Sequence, residues 1–251
     1  AGFYSPHSPW VAPQEFLDRY DPADFTLPQF PAEVEARRAA GHCSDEELRG
    51  ARHGYYAMIS EVDHHVGRIL AHLEERGRRD NTIVVFTSDH GEWLGEHLKY
   101  GKGYPAPDCI SRVPLLIRCP GNHVQQGHTV QRIVEAVDVV PTLLELAGIQ
   151  RPPFLQGRPL PLAALPHAQA TSEEPSALTE GAGWKVLRTA FHRYVTHADG
   201  RELLFDLATD PGEYHDVAGD AAYREILAEH RHTLLRRVLA MERPLPRVWS
   251  Y

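Results

Sequence analysis

No stretch of this sequence approaches the roughly 18 consecutive apolar residues that a membrane-crossing helix needs, so no membrane span is expected. Basic charge is scarce as well. Lys and Arg total 26 against 34 Asp and Glu, a net charge of -8, and no basic stripe interleaved with aromatics is present. A nucleic-acid partner is therefore not expected. Overall acidity leaves an anionic substrate open, because a local cation and one or two basic side chains can dominate the field inside a cleft. Cysteine is sparse: Cys43, Cys109 and Cys119 are an odd number without Cys-x-x-Cys spacing, which argues against a disulfide framework and against a structural zinc site. Free thiols favour the cytoplasm, with a periplasmic or secreted location left open. The start, Ala1-Gly2-Phe3-Tyr4, has no charged n-region, no apolar h-region and no initiator methionine, and reads as the middle of a longer chain. Internal repeats are absent, and nothing reveals an oligomeric state.

What is present fits a globular protein. Its 251 residues, 42% apolar and 24% charged, suit one large domain or a domain with a small satellite. Residues 1–31 are rich in proline and aromatics and read as a loop-dominated lead-in with a short turn around residues 15–20. From Ser44 the pattern changes. Ser44 and Glu47 make a capping box, and Leu48, Ala51, Tyr55, Met58, Ile59, Val62, Val66, Ile69, Leu70 and Leu73 recur at helical spacing. This predicts one long amphipathic helix ending near Gly77. Two short apolar runs, residues 83–86 and 113–118, read as parallel strands covered on both faces, joined by a Gly- and Pro-rich loop of a length that is usually functional. Asp138 is expected to cap a helix through Leu146 that stops at Gly148. Residues 151–182 read as an irregular proline-rich connection. Beyond it, residues 184–189, 193–197 and 202–207 read as an antiparallel meander with a tight turn at Asp199-Gly200, covered by a helix over 223–239.

The first chemical signal is the run from Thr82 to Glu92, an apolar strand ending in Asp89 and His90. In an open α/β sheet, ligands collect at the carboxyl ends of strands, and a carboxylate beside an imidazole can bind a cation. The spacing alone also allows a turn former or helix N-cap. Lys102, between Gly101 and Gly103, reads either as solvated surface or as an anion contact. His64 and His65 adjoin Asp63, but neighbouring helix residues point about 100° apart, so they read as one solvated and one packed histidine rather than a metal site. Asp210-Pro211-Gly212-Glu213 reads as a turn.

Taken together, the chain resembles the C-terminal half of a sulfatase of the alkaline phosphatase superfamily. Six segments match in family order: Pro6-His7-Ser8-Pro9-Trp10; Tyr55 to Asp63 with Val66-Gly67-Arg68-Ile69-Leu70; Thr87-Ser88-Asp89-His90-Gly91-Glu92 continuing through Leu94-Gly95-Glu96-His97 and Tyr100-Gly101-Lys102-Gly103; Arg112-Val113-Pro114-Leu115-Leu116-Ile117; Val137 to Ile149; and Leu204 to Glu213. The resemblance implies an alkaline-phosphatase-like α/β core over residues 1–150, an irregular connection over 151–182 and a small α+β subdomain over 183–251. One departure stands out. The family's nucleophile is a formylglycine made in a Cys-x-Pro-Ser-Arg type motif, and none of the three cysteines has that context.

That departure implies a nucleophile, and two further aspartate ligands, in an N-terminal half of the same protein, with this chain inactive alone. The resemblance assigns Asp89 and His90 as metal ligands and implies a divalent cation, Ca2+ first and Mn2+ as the alternative. It assigns Lys102 to the sulfate and the leaving oxygen, and His7 to a sulfate oxygen and protonation of the leaving alcohol. His97 falls on the substrate side, where loop packing is the stronger reading. Arg112 and Asp138 are expected to be structural, as an ion pair or cap. The implied substrate is a sulfate ester. A phosphonate monoester or phosphodiester hydrolase is the alternative within the superfamily, because the histidine form of position 90 occurs there too. A catalytically inert fragment or binding module is the alternative outside it.

Overall fold

Ser44 Oγ accepts the Glu47 backbone N–H at 3.2 Å while Glu47 Oε2 accepts that of Ser44 at 2.7 Å, the reciprocal cap that opens the longest helix. The computed structural model describes residues 1–41, 43–121, 127–160, 162 and 175–242. It divides into two compact units, residues 1–120 and 121–251.

In the first unit α1 (Gln14–Leu17) and α2 (Ala32–Ala39) precede the long helix α3 (Asp45–Glu75). Gly77, at φ +63°, ends α3 by letting Arg78 N–H reach Leu73 C=O at 2.8 Å. The buried face of α3 holds Leu48, Ala51, Ala57, Met58 and Val62, and Ala57 and Met58 pack against Ala12 and Phe16. Polar ties strap the lead-in to the same helix: Arg49 Nη1 donates to Ala23 and Phe25 carbonyls at 2.7 and 2.8 Å, and Tyr20 Oη lies 2.6 Å from Ser60 Oγ. Beyond Val62 the apolar spacing continues, but Ile69 and Leu70 are 41% and 38% exposed. His64 is exposed and His65 half-buried, the two rings 5.4 Å apart.

Strand β1 (Val84–Thr87) pairs with β2 (Leu115–Arg118), with the short helix α4 (Asp108–Ser111) between them. The pairing is antiparallel, Val84 opposite Arg118 and Thr87 opposite Leu115, which corrects the parallel arrangement expected for these two runs. Continuous apolar character reports burial, not direction. The 88–114 segment leaves the end of β1 and returns beside it, so no crossover is made and the return strand must run backwards. Phe86 and Leu116, opposite each other, are 37% and 59% exposed.

In the second unit Pro141 lies buried in the first turn of α5 (Val139–Leu146), where its missing N–H breaks no intrahelical bond. Asp138 does not cap that helix with its side chain. Its carboxylate accepts from Glu135 N at 3.1 Å and Arg158 N at 2.8 Å instead, so it ties a turn to a later loop. The fully buried Thr142 Oγ donates to Asp138 C=O at 2.6 Å and accepts from Leu160 N at 2.8 Å.

Four strands follow in sequence order, β3 (Ala177–Gly181), β4 (Trp184–Arg188), β5 (His192–His197) and β6 (Glu202–Asp206), all antiparallel. The turn at Asp199-Gly200 joins the last two, with Gly200 N–H on His197 C=O at 2.9 Å. β3 lies inside the segment read as irregular. Five residues between a proline-rich stretch and a Gly-Ala-Gly turn carry too little alternation to announce a strand, and cross-strand pairing with β4 makes one. Of the expected 151–182 connection, residues 161 and 163–174 lie outside the described residues. Helix α6 (Arg224–Met241) covers one sheet face, where Leu187, Tyr194 and Leu204 meet Leu227 and Leu234. Arg193 and Glu213 are both buried, with Nε 2.7 Å from Oε2.

Candidate functional site

The end of β1 is built by short-range hydrogen bonds that aim its side chains. Ser88 Oγ donates to His90 C=O at 2.9 Å, and His90 N–H donates to Asp89 Oδ1 at 2.9 Å. With Oδ1 held by its own turn, Oδ2 is the oxygen that faces His90 Nε2, at 3.4 Å. Burial pushes the Asp89 carboxyl up, but hydrogen bonds, that from the His90 backbone N–H foremost, outweigh it and hold the group below the usual carboxylate range. Asp89 is therefore an anion, and its side chain is 83% exposed.

His90 Nδ1 lies 2.8 Å from Gly91 C=O, and a carbonyl can only accept, so Nδ1 carries the proton. Nε2 is left with its lone pair. The Lys102 Nζ, which can only donate, occupies that direction at 2.8 Å. One carboxylate oxygen, one imidazole lone pair and one ammonium thus converge at the end of a strand, the last of them from a loop twelve residues downstream.

This donor set suits part of a divalent-cation site. Oδ2 and Nε2 lie about as far apart as two ligands on one ion, and a backbone carbonyl fixes the ring as such ligand histidines require. Among the described residues, no third His, Cys, Asp or Glu joins them in a ready-made cage.

The loop between His90 and Lys102 is tightly latched. Trp93, 2% exposed, donates its N–H to Gly101 C=O at 3.0 Å, and Gly95 N–H reaches Lys99 C=O at 2.9 Å. Gly91 has a packing reason to lack a side chain: a Cβ there would stand 2.0 Å from the Cys109 carbonyl oxygen. His97 stands edge-on to Trp93 with centroids 5.2 Å apart, and Lys99 Nζ lies 4.7 Å from the Trp93 ring centroid. His7 is exposed, with Nδ1 2.7 Å from Ser8 C=O and its ring 4.7 Å from Tyr4, so its contacts lie within the lead-in rather than with the Asp89–His90–Lys102 group. Sequence reasoning passed over Glu92, whose carboxylate accepts the backbone N–H groups of Leu94 and Gly101. The signal was available: an acidic residue two places after the Asp89-His90 pair, at the start of the glycine-rich loop.

The sulfatase family model matches residues 1–149. This chain belongs to the sulfatase family. It is 30% identical to the multifunctional alkaline phosphatase superfamily protein PehA of Trinickia caryophylli over 93% of its length and 54% of that protein's. It is 31% identical to an arylsulfatase of Clostridium perfringens over 96% of its length and 52% of that protein's. The crystal structure of the phosphonate monoester hydrolase of Agrobacterium radiobacter superposes with a TM-score of 0.82 at 29% identity, over 95% of this chain and 56% of the other. The fold is thus sulfatase- and alkaline-phosphatase-like, and the chain spans about half the length of the curated relatives it matches. No described helix is long and apolar enough to cross a membrane.

Proposed function

We propose that this chain is the part of a sulfuric ester hydrolase that supplies two metal ligands and the sulfate-binding side chains, acting on a sulfate ester together with an N-terminal half of the same protein. The observation that carries this reading is the convergence of Asp89 Oδ2, His90 Nε2 and Lys102 Nζ at one strand end. The family match over residues 1–149 supports assigning 1–150 to the catalytic core, with 151–182 as connection and 183–251 as satellite. The free thiols Cys43, Cys109 and Cys119 support a reducing compartment, with export as the alternative.

Asp89 and His90 would hold the cation, Ca2+ first and Mn2+ second. When bound, the cation neutralises sulfate oxygens, and formylglycine from outside this chain supplies the nucleophile. Lys102 stabilises the negative charge that develops on the ester oxygen as the alcohol departs, which is worth most where charge changes between ground and transition state. His7 donates a hydrogen bond to a sulfate oxygen and passes a proton to the leaving alcohol, and His97 braces the loop on the substrate side. None of these groups can open the ester, so the chain alone is inactive.

A second reading has an observation in its favour. The structural neighbour at TM-score 0.82 is a phosphonate monoester hydrolase, and tetrahedral phosphorus and sulfur present the same oxygens to the same cationic groups. Parallel turnover of an aryl sulfate and an aryl phosphonate by the full-length enzyme separates the two. Faster sulfate turnover supports the first reading, and equal or greater phosphonate turnover overturns it.

A further inference from the structure

Glu92 sits at the neck of the loop that carries Lys102. Its Oε1 accepts the Leu94 N–H at 3.2 Å and also the Gly101 N–H. The next residue, Trp93, donates its own N–H to Gly101 C=O at 3.0 Å. Consecutive residues thus grip both polar groups of Gly101, the residue immediately before Lys102. On its other side the 91–92 backbone is anchored, Gly91 N–H to Ile110 C=O at 2.7 Å and Glu92 N–H to Cys109 C=O at 3.1 Å. The missing Cβ at Gly91 permits that close seat.

The strand end bearing Asp89 and His90 and the loop residue bearing the ammonium are therefore joined through one carboxylate. Hydrogen bonds to an ionised acceptor are about twice as strong as neutral ones, and they are spent here on two loop amides rather than on a cation or a substrate. We infer that Glu92 is a positioning residue: acting through Gly101, it holds Lys102 at the end of β1 beside His90, where its ammonium rests on Nε2 when no cation occupies that nitrogen. Its functional weight rests on the reading of Lys102 given above, while the linkage itself is read without any turnover.

The test uses the 251-residue chain labelled with nitrogen-15, with Glu92→Ala, Glu92→Gln and Lys102→Ala variants. Two signals are followed: hydrogen exchange at the Gly101 amide and the ring nitrogen resonance of His90 Nε2. Protection of the Gly91 amide reports that the anchored 91–92 backbone stays folded. In Glu92→Ala the Gly101 amide should exchange about tenfold faster or more, and the His90 Nε2 resonance should move toward its position in Lys102→Ala, with Gly91 still protected. Wild-type values for both signals in a folded Glu92→Ala overturn the proposal. If Glu92→Ala loses Gly91 protection, Glu92→Gln decides: its neutral oxygen accepts more weakly, so several-fold faster Gly101 exchange with a partial His90 shift supports the proposal, and no change overturns it. Loss of sulfate selectivity in the full-length enzyme would sink the functional reading and leave this linkage standing, so the two failures are distinct.

Discussion

The Lys102 ammonium lies 2.8 Å from Nε2 of His90, on the lone pair that a metal ligand would use. A cation held by His90 would take that lone pair, so Lys102 would have to release it and turn its ammonium to an anionic substrate beside the ion. In the full-length enzyme, Lys102→Ala should lower kcat about 100- to 1000-fold, the range for removing one donor aimed at developing charge. Steady-state kinetics with an aryl sulfate checks it, and a rise in KM alone with kcat intact would show that Lys102 only binds substrate.

Asp89 and His90 give a second expectation, read by cation binding rather than turnover. Either Asp89→Ala or His90→Ala in the full-length enzyme should weaken divalent-cation affinity by more than about tenfold, since even groups behind the ligands cost that much. His90→Asn replaces an imidazole by an amide oxygen and should move preference toward Ca2+ over Mn2+. Isothermal titration with each ion reads both outcomes, and unchanged affinities in all three variants would remove these residues from the site.

Much of this geometry was legible in the sequence, for identifiable reasons. The capping box at Ser44 and Glu47, the glycine stop at Gly77 and the hairpin at Asp199-Gly200 are local, so a few residues suffice to specify them. Asp89, His90 and Lys102 were visible as residue types beside a strand end and a glycine-flanked loop. The antiparallel pairing of Phe86 with Leu116 was not, because apolar continuity carries no direction. Strand β3 and the role of Asp138 were hidden for a related reason: both depend on partners far along the chain, β4 in one case and Arg158 N–H in the other. Glu92 was quoted within a motif and left without a task, since its partners are backbone amides that any sequence offers.

Gly91→Ala should destabilise the first unit. The added methyl group would stand 2.0 Å from the Cys109 carbonyl oxygen, and backbone rather than a flexible side chain must give way. Overpacking of this kind costs about 1–3 kcal/mol. Because Gly91 N–H also holds Ile110 C=O at 2.7 Å, the damage falls on the segment behind the site. Thermal melting read by circular dichroism should show a lowered Tm, and an unchanged Tm would mean the 91–110 contact is looser than described.

Tyr194 gives a pH dependence with a defined sign. Burial first, and then its hydrogen bond to Glu202, push its phenol up to about 12. A folded-state value raised above the ordinary phenol value of about 10 means the neutral form is favoured by folding. That contribution is fully present below about pH 10 and fades as pH climbs toward 12. Urea midpoints measured from pH 8 upward should therefore fall on the alkaline side for the wild type. Tyr194→Phe, with nothing to ionise there, should show a shallower fall after losing about 1 kcal/mol at neutral pH. Parallel curves for the two proteins would contradict the assignment.

The buried Arg193 and Glu213 pair predicts opposite results for one substitution and for two. Both side chains are excluded from solvent and stand 2.7 Å apart, so Glu213→Ala leaves a guanidinium charge in the interior without its counter-charge. Breaking such a pair from one side costs about 3–5 kcal/mol. Glu213 also holds φ at +58°, a left-handed cost that any residue with a Cβ shares, so the alanine variant differs from the wild type in lost packing and charge rather than in backbone. Glu213→Gln separates the terms, because it changes the charge while leaving the side-chain length. The double variant Arg193→Met, Glu213→Gln removes both charges together and should recover much of the stability lost by Glu213→Gln alone, since desolvating two charges offsets much of what their attraction returns. Denaturant unfolding of these variants and of Arg193→Met alone reads this directly: a double variant at least as destabilised as the sum of Arg193→Met and Glu213→Gln would show that the charges are worth more to this fold than their burial costs.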